Sequence, residues 1–399
     1  GGGSAGTFDN LGLLTQNAAG AHGMNANVTF NQSATVHVTA GSFVPNNGTD
    51  SGATYSMDAG TRVDYTSGTR TLSGSNTYNG AGSARLAGAN WALSGAVSLG
   101  GAGSITLSAP FTLSGGAVTG TLTTSGATQI SGSPQLAGGN WSNSGVLGIQ
   151  GSGTLVFTNG GHFTNLAAGT VNLNSSAAEP VTYGGGSAGT FDNLGLLTQN
   201  AAGAHGMNAN VTFNQSATVH VTAGSFVPNS GTDSGATYSM DAGARVDYTS
   251  GTRTLSGSNT YNGAGSARLA GANWALSGAV SLGGTSTLDL QSGAIGSGTL
   301  ATSLAVQVSG SPVLNGTQWT NSATLDLTGA GTLVFTSGAL LTNAAAATLT
   351  LDSSAATVFV YGGGAAGRVV NQGSLVQQAA GAHAVDANVA FDNLGNVQV

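Results

Sequence analysis

Short stretches of the chain alternate apolar and polar residues with a period of two: TVHV at 35–38, SITL at 104–107, TVNL at 170–173, TLDL at 324–327 and TLTL at 348–351. β-Branched residues are common in them, so each predicts a short strand with one face turned inward and one outward. No window carries the apolar stripe of a helix. Clusters of Gly, Asn and Ser separate the runs and supply the positive φ that tight bends need. The prolines of SGSP (131–134 and 309–312) and APF (109–111) mark further bends.

A longer period is carried by large apolar anchors. These are Phe8, Phe30, Trp91, Trp141, Phe163, Phe191, Phe213, Trp274, Trp319 and Phe391, with Leu341 and Val369 in two of the slots. Many read aromatic-x-Asn, and the pattern predicts bend asparagines at Asn10, Asn143, Asn165, Asn193, Asn321, Asn343, Asn371 and Asn393. Aliphatic pairs follow at +6 and +8, as in Val36/Val38, Val97/Leu99, Leu147/Ile149 and Leu325/Leu327. Phe163 and Leu341 place theirs at +8 and +10, as a two-residue insertion would. The first anchor gaps are 22, 61, 50, 22 and 28 residues, near-multiples of one step of roughly 20–28, with some coils lacking the aromatic. A strand of this length cannot bury a face alone, but coils stacked in parallel can. The expected fold is all-β: a right-handed-type parallel β-solenoid, elongated into a rod, with the aromatic marking the same corner at each circuit and forming a core ladder. The spacing leaves the number of sides per coil open.

A still longer repeat overlies this one. Gly1–Gly101 recurs as Gly184–Gly284 with two changes, Asn47 against Ser230 and Thr61 against Ala244. A third copy starts at Gly362. The expected organisation is 1–183, 184–361 and 362–399 as successive long units of one continuous solenoid. Both ends fall inside a repeat, which reads as part of something longer. After Gly101 and Gly284 the letters diverge, yet SGSP and GTLVFT stay in register, so the five-residue difference lies upstream of SGSP, where loops tolerate it.

Composition narrows the function classes. Charged residues are 5 % of the chain, against about 25 % in ordinary domains. Apolar residues reach 40 % and mean hydropathy is positive, which argues against disorder. Arginines are the only fixed cations and the formal net charge is −7, which argues against nucleic acid and against an anionic membrane surface. No run approaches the ~18 apolar residues of a membrane-spanning helix. With no cysteine there is no disulfide framework, which fits an exported bacterial protein.

The tandem aromatic-x-Asn-x-Gly/Ala units, joined by TLSG, GSGTLVFT and GAGS connectors, resemble the β-strand repeats of giant bacterial surface proteins. Those are filamentous-haemagglutinin-like adhesins and the passenger regions of autotransporters. The resemblance implies an extracellular location on a bacterial cell surface, a parallel β-solenoid, and a role as stalk, adhesin or surface filament or sheath. It transfers no catalytic residues.

Candidate chemistry is sparse. His22, His205 and His383 recur once per long unit, too far apart to share a metal, and His37 and His220 take outward positions in TVHV. Zinc needs three or four clustered ligands. Arg62, Asp64 and Arg70, repeated as Arg245, Asp247 and Arg253, are the densest charges and read as exposed ion pairing on a strand face. The four tryptophans share the anchor column with Phe and Leu, which favours core packing over sugar stacking. The expectation is therefore a non-enzymatic structural rod or fibre-forming segment with no catalytic residue, metal or cofactor. Its expected partners are further copies of the same repeat, within the chain or by end-to-end or lateral assembly, and surface glycans, with no nucleic acid and no membrane insertion. The alternative is a carbohydrate- or surface-binding adhesin that uses one face. More remote is a polysaccharide lyase or hydrolase on a β-helix, which would need acids converging in adjacent coils. A membrane β-barrel would show aromatic girdles flanking each strand, and the sequence has none.

Overall fold

The computed structural model describes residues 5–107, 112–115 and 121–399. The APF bend and the first four residues of GGGSAG lie outside the described residues. The chain divides into two compact units, Gly1–Ala201 with Asn210–Thr212, and Ala202–Ala209 with Phe213–Val399. Among the described residues every regular element is a strand.

In the first unit one coil consists of Gly6–Asn10, Leu13–Gln16 and Ala21–Gly23. The next three strands lie over them in parallel and in register: Val28–Gln32 on the first, Thr35–Val38 on the second and Ser42–Val44 on the third. A strand therefore meets the strand three places later, and the coil has three walls. Longer strands such as Thr69–Gly80 turn a corner without interruption and pair with Asn47–Ser51 on one wall and Thr54–Met57 on the next. The second unit repeats the arrangement, with Phe213, Gly231, Arg253 and Trp274 aligned on one wall and Val219 and Tyr238 on another. Each unit is an all-β parallel β-solenoid, as the repeat period predicts.

Alternation explains the walls and glycine explains the corners. In Thr35–Val38 the inward Val36 and Val38 are fully buried and the outward Thr35 and His37 are not. At the corner residue Gly41, φ is +61°, and a Cβ would lie 2.1 Å from the carbonyl oxygen of Gly20 in the coil beneath. Coil length varies between neighbours: hydrogen-bonded partners in adjacent coils are 22 residues apart at Asn10 and Gln32, 18 at Asn31 and Thr49, and 28 at Asn165 and Asn193. The 18-residue coil is shorter than the expected minimum. It is made possible by Gly48, whose φ of +132° brings the backbone so near Phe30 that a Cβ would sit 1.9 Å from the Phe30 oxygen.

One expectation needs correction. The aromatic does not mark a single corner throughout. In the first unit Phe8, Phe30 and Trp91 share a file, with Gly48 and Arg70 occupying its intermediate places. That file does not lead to Trp141, which instead stands over Leu122 and, through it, Val97, with Phe163 and Phe191 following on the same wall. The second unit shows the same change, with Phe213 and Trp274 on one wall and Trp319, Leu341, Val369 and Phe391 on another. The physical reason is that all three walls face one narrow interior, so a ring supplied by any of them fills it.

Candidate functional site

The anchor residues are mostly sealed. Phe30, Trp91, Trp141, Phe163, Phe191, Phe213, Trp274 and Trp319 are at most 1 % exposed, so no sugar can stack on these tryptophans. Phe391 is half-buried. Phe8 is 42 % exposed, whereas Phe191, with the same flanking sequence, lies over Phe163 and is fully buried.

The aromatic-x-Asn asparagines end their strands and, apart from the exposed Asn393, are buried as amide ladders. Asn143 Nδ2 donates to Asn165 Oδ1 at 3.0 Å, and Asn165 Nδ2 to Asn193 Oδ1 at 2.8 Å. In the second unit the chain runs Asn321, Asn343, Asn371, Asn393 at 3.0, 2.8 and 2.7 Å. Asn10 donates to Gln32 Oε1 at 2.6 Å. Each step also closes backbone carbonyls, as where Asn165 Nδ2 reaches Leu196 O at 3.0 Å. Amides stacked at the inter-coil spacing satisfy polar groups that would otherwise be stranded.

The larger departure concerns charge. Arg70, expected among exposed ion pairs, is fully buried and bridges Asp50, which is fully buried too. Its guanidinium is nearly saturated: Nη1 donates to Phe30 O at 2.7 Å and Asn47 O at 3.1 Å, and Nη2 to Thr49 O at 2.8 Å and to Asp50. Three buried tyrosines complete the cluster. Tyr55 OH donates to Asp50 Oδ1 at 2.7 Å, Tyr65 OH to Asp50 Oδ2 at 3.4 Å, and Tyr65 and Tyr78 hydroxyls lie 3.0 Å apart. The Arg70 guanidinium also lies over the Phe30 ring, 5.4 Å from its centre. Asp233, Arg253, Tyr238, Tyr248 and Tyr261 rebuild the same cluster in the second unit.

Burial, with the Asp50 charge added, holds the Tyr55, Tyr65 and Tyr78 hydroxyls well above their ordinary ionisation range. Burial by itself lowers the Arg70 value, but the Asp50 charge and hydrogen bond, with Tyr55 and Tyr65 added, together outweigh it and the net shift is upward. An arginine fixed in its charged form and tyrosines fixed in their neutral form, all away from solvent, offer neither a base nor a nucleophile. The cluster is structural.

Outside the core, Asp64 accepts from Arg62 Nε at 2.7 Å and from Arg85 Nε at 2.8 Å. It is covered by these two side chains and only 4 % exposed, while the arginines stay 48 % and 39 % exposed. His37 Nε2 lies 3.1 Å from Asp58 Oδ1, and His220 repeats this with Asp241 at 3.0 Å. His22 and His205 each lie within 2.9 Å of a corner carbonyl, and His383 Nδ1 is 3.0 Å from Ala355 O. Among the described residues no three metal-ligating side chains converge. No family model matches the chain, and no curated protein and no solved structure matches it.

Proposed function

We propose that the chain is a non-enzymatic structural segment, rod- or fibre-forming, of a large exported bacterial cell-surface protein. The observation that carries this reading is the interior. In each unit the inward positions are filled file by file with apolar side chains, amide ladders and a saturated ion pair, so binding energy is spent between coils. Support for the surface location comes from the resemblance of the repeats and from the near-uncharged, cysteine-free composition. Parallel coils at about 4.8 Å give length in proportion to residue number. Low wall charge removes the repulsion that keeps soluble proteins apart, which favours bundling with further copies of the repeat.

Negative-stain electron microscopy of the 399-residue chain tests the reading. Narrow particles of uniform width, single or bundled, are expected. Compact globules would end it. Antibody labelling of intact producing cells tests the location, and labelling only after lysis would refute it.

A further inference from the structure

The exposed cations are concentrated in two places. Of the seven fixed cations, all arginine, Arg70 and Arg253 are buried with Asp50 and Asp233, and Arg368 pairs with Asp392 at 2.5 Å. The other four form two copies of one device: Arg62–Asp64–Arg85 in the first unit and Arg245–Asp247–Arg268 in the second. In both, one nearly buried carboxylate takes the two Nε–H groups, at 2.7 and 2.8 Å in one copy and 3.3 and 3.0 Å in the other. The terminal Nη groups make no hydrogen bond among the described residues, so two guanidiniums are held side by side with donors free. Each device carries one net positive charge on a wall that is otherwise neutral or acidic.

A trench adjoins each device. In the second unit Ala204, Ser225, Arg245, Ser266 and Thr287 form one file on the outer side of the wall, exposed or partly exposed except at the buried Ser225, a run of ~19 Å at the coil spacing. Beside it the corners are glycines. A cavity of about 180 Å3 lies on one side of Arg245, along Gly203, Gly224 and Gly243, and one of about 310 Å3 on the other, along Ala264, Gly265 and Ser266. In the first unit Gly20, Gly41, Gly60 and Ser42 line the equivalent hollow of about 230 Å3 beside Arg62. At Gly60 and Gly243 the backbone is left-handed and the space where a side chain would stand is open.

We propose that these two devices are carboxylate clamps for an acidic polysaccharide, a uronate-bearing chain laid along the trench parallel to the stacking axis. Arginine donors match a carboxylate in geometry and charge. The Ser266 and Thr287 hydroxyls of the file, both partly exposed, are placed to meet sugar hydroxyls, and one coil is close to the length of one sugar ring. The surrounding charge selects against denser polyanions. Asp241, bonded to His220, stands two residues before Gly243, and Asp289, holding Ser309 at 2.6 Å and Gln291 at 2.8 Å, follows Arg268 in its file. The inference does not depend on the rod reading, because a monomer would bind equally.

Titration of the 399-residue chain with polygalacturonate at low salt is the test, with dextran and dextran sulfate as separate arms. Saturable binding of polygalacturonate that weakens steeply with salt is expected, with none to dextran. Arg245→Gln with Arg268→Gln removes one clamp, and adding Arg62→Gln with Arg85→Gln weakens binding by about tenfold or more. Added to Arg62→Gln with Arg85→Gln, Ala264→Trp, at an exposed position in the trench, weakens binding at the remaining second-unit clamp with Arg245 and Arg268 in place and without disturbing Asp247. Unchanged affinity in the fourfold variant, or no further weakening when Ala264→Trp is added to Arg62→Gln with Arg85→Gln, overturns the proposal. So does dextran binding, or dextran sulfate binding at least as tightly as polygalacturonate.

Discussion

Replacing Asp50 with Asn removes one charge from the core with almost no change of volume. Arg70 then stays cationic and fully buried, still bonded to the carbonyls of Phe30, Asn47 and Thr49 but without a counter-charge. Leaving one partner of a buried pair unmatched costs about 3–5 kcal/mol. The amide oxygen can still accept from Tyr55, but the amide nitrogen cannot accept from Tyr65 or Arg70 Nε, so the loss combines the missing charge with these two long bonds. Asp50→Leu combined with Arg70→Met removes both charges but also takes a donor from the Phe30, Asn47 and Thr49 carbonyls and the acceptor from Tyr55, at about 1–3 kcal/mol each, so it should cost at least as much as Asp50→Asn. Hydrogen exchange read by mass spectrometry is the assay. The two copies of the cluster are distinguishable in peptides that contain Asn47 or Thr61, since the other copy has Ser230 and Ala244. Asp50→Asn should lower protection in the strands Asn47–Ser51 and Thr69–Gly80 and leave the Asp233 copy unchanged. A loss under about 1 kcal/mol on Asp50→Asn would show that the Asp50 charge is not needed to match buried Arg70.

Three further outcomes follow from the same geometry. The buried tyrosines, Tyr55, Tyr65 and Tyr78 with Tyr238, Tyr248 and Tyr261, ionise above their unfolded range, so their contribution is complete below pH ~10 and is lost as pH rises beyond it. Tyrosinate absorbance from these six should appear only together with loss of β-sheet circular dichroism, and its appearance in folded protein near pH ~10 would contradict the burial. Gly48→Ala forces a methyl into the Phe30 carbonyl and should cost at least about 3 kcal/mol, whereas Gly60→Ala, left-handed but in open space, should cost about 1–2 kcal/mol by urea unfolding. Asn165→Leu strands the Asn193 amide oxygen and the Leu196 carbonyl at about 1–3 kcal/mol each, while Asn31→Ala, at an exposed bond to Asp9, should change stability by under about 0.5 kcal/mol.

The strands, the coil period and the inward register were legible because each rests on a local alternation that tertiary packing reinforces. Val36 and Val38 announce their wall whatever lies above them. Arg70 was misread, although the signal was present. In Thr69–Gly80 it has the same parity as Leu72, so a strand that buries Leu72 buries Arg70 as well. The 61-residue gap between Phe30 and Trp91 is the second sign, since the file needs occupants at Gly48 and Arg70. Asp50 had no such neighbour: GTDS carries no apolar residue to set its parity, and only the stacking shows that it faces inward. The switch of Trp141 to another wall was illegible for a related reason. An aromatic anchor tells how far the chain has travelled, and not which of three equivalent walls it has reached.

Buried charge in a repetitive core has a consequence that apolar files lack. A file of Val, Leu and Phe is nearly degenerate under a slip of one coil, because each residue meets an equally apolar neighbour. Asp50 and Arg70 break that degeneracy. If Thr69–Gly80 slipped by one coil, Arg70 would leave the level of Gly48 and be separated from Asp50, and both charges would be buried unmatched. Gly48 acts in the same direction, since no other residue fits beneath the Phe30 carbonyl. The amide ladders do this elsewhere: the side-chain bonds from Asn143 to Asn165 and from Asn165 to Asn193 form only when the coils stack in order. The ion pair adds little net stability, yet each alternative register is penalised by the full cost of an unmatched charge. A chain built from near-copies of itself therefore places its few polar core residues where a wrong stack would otherwise cost least.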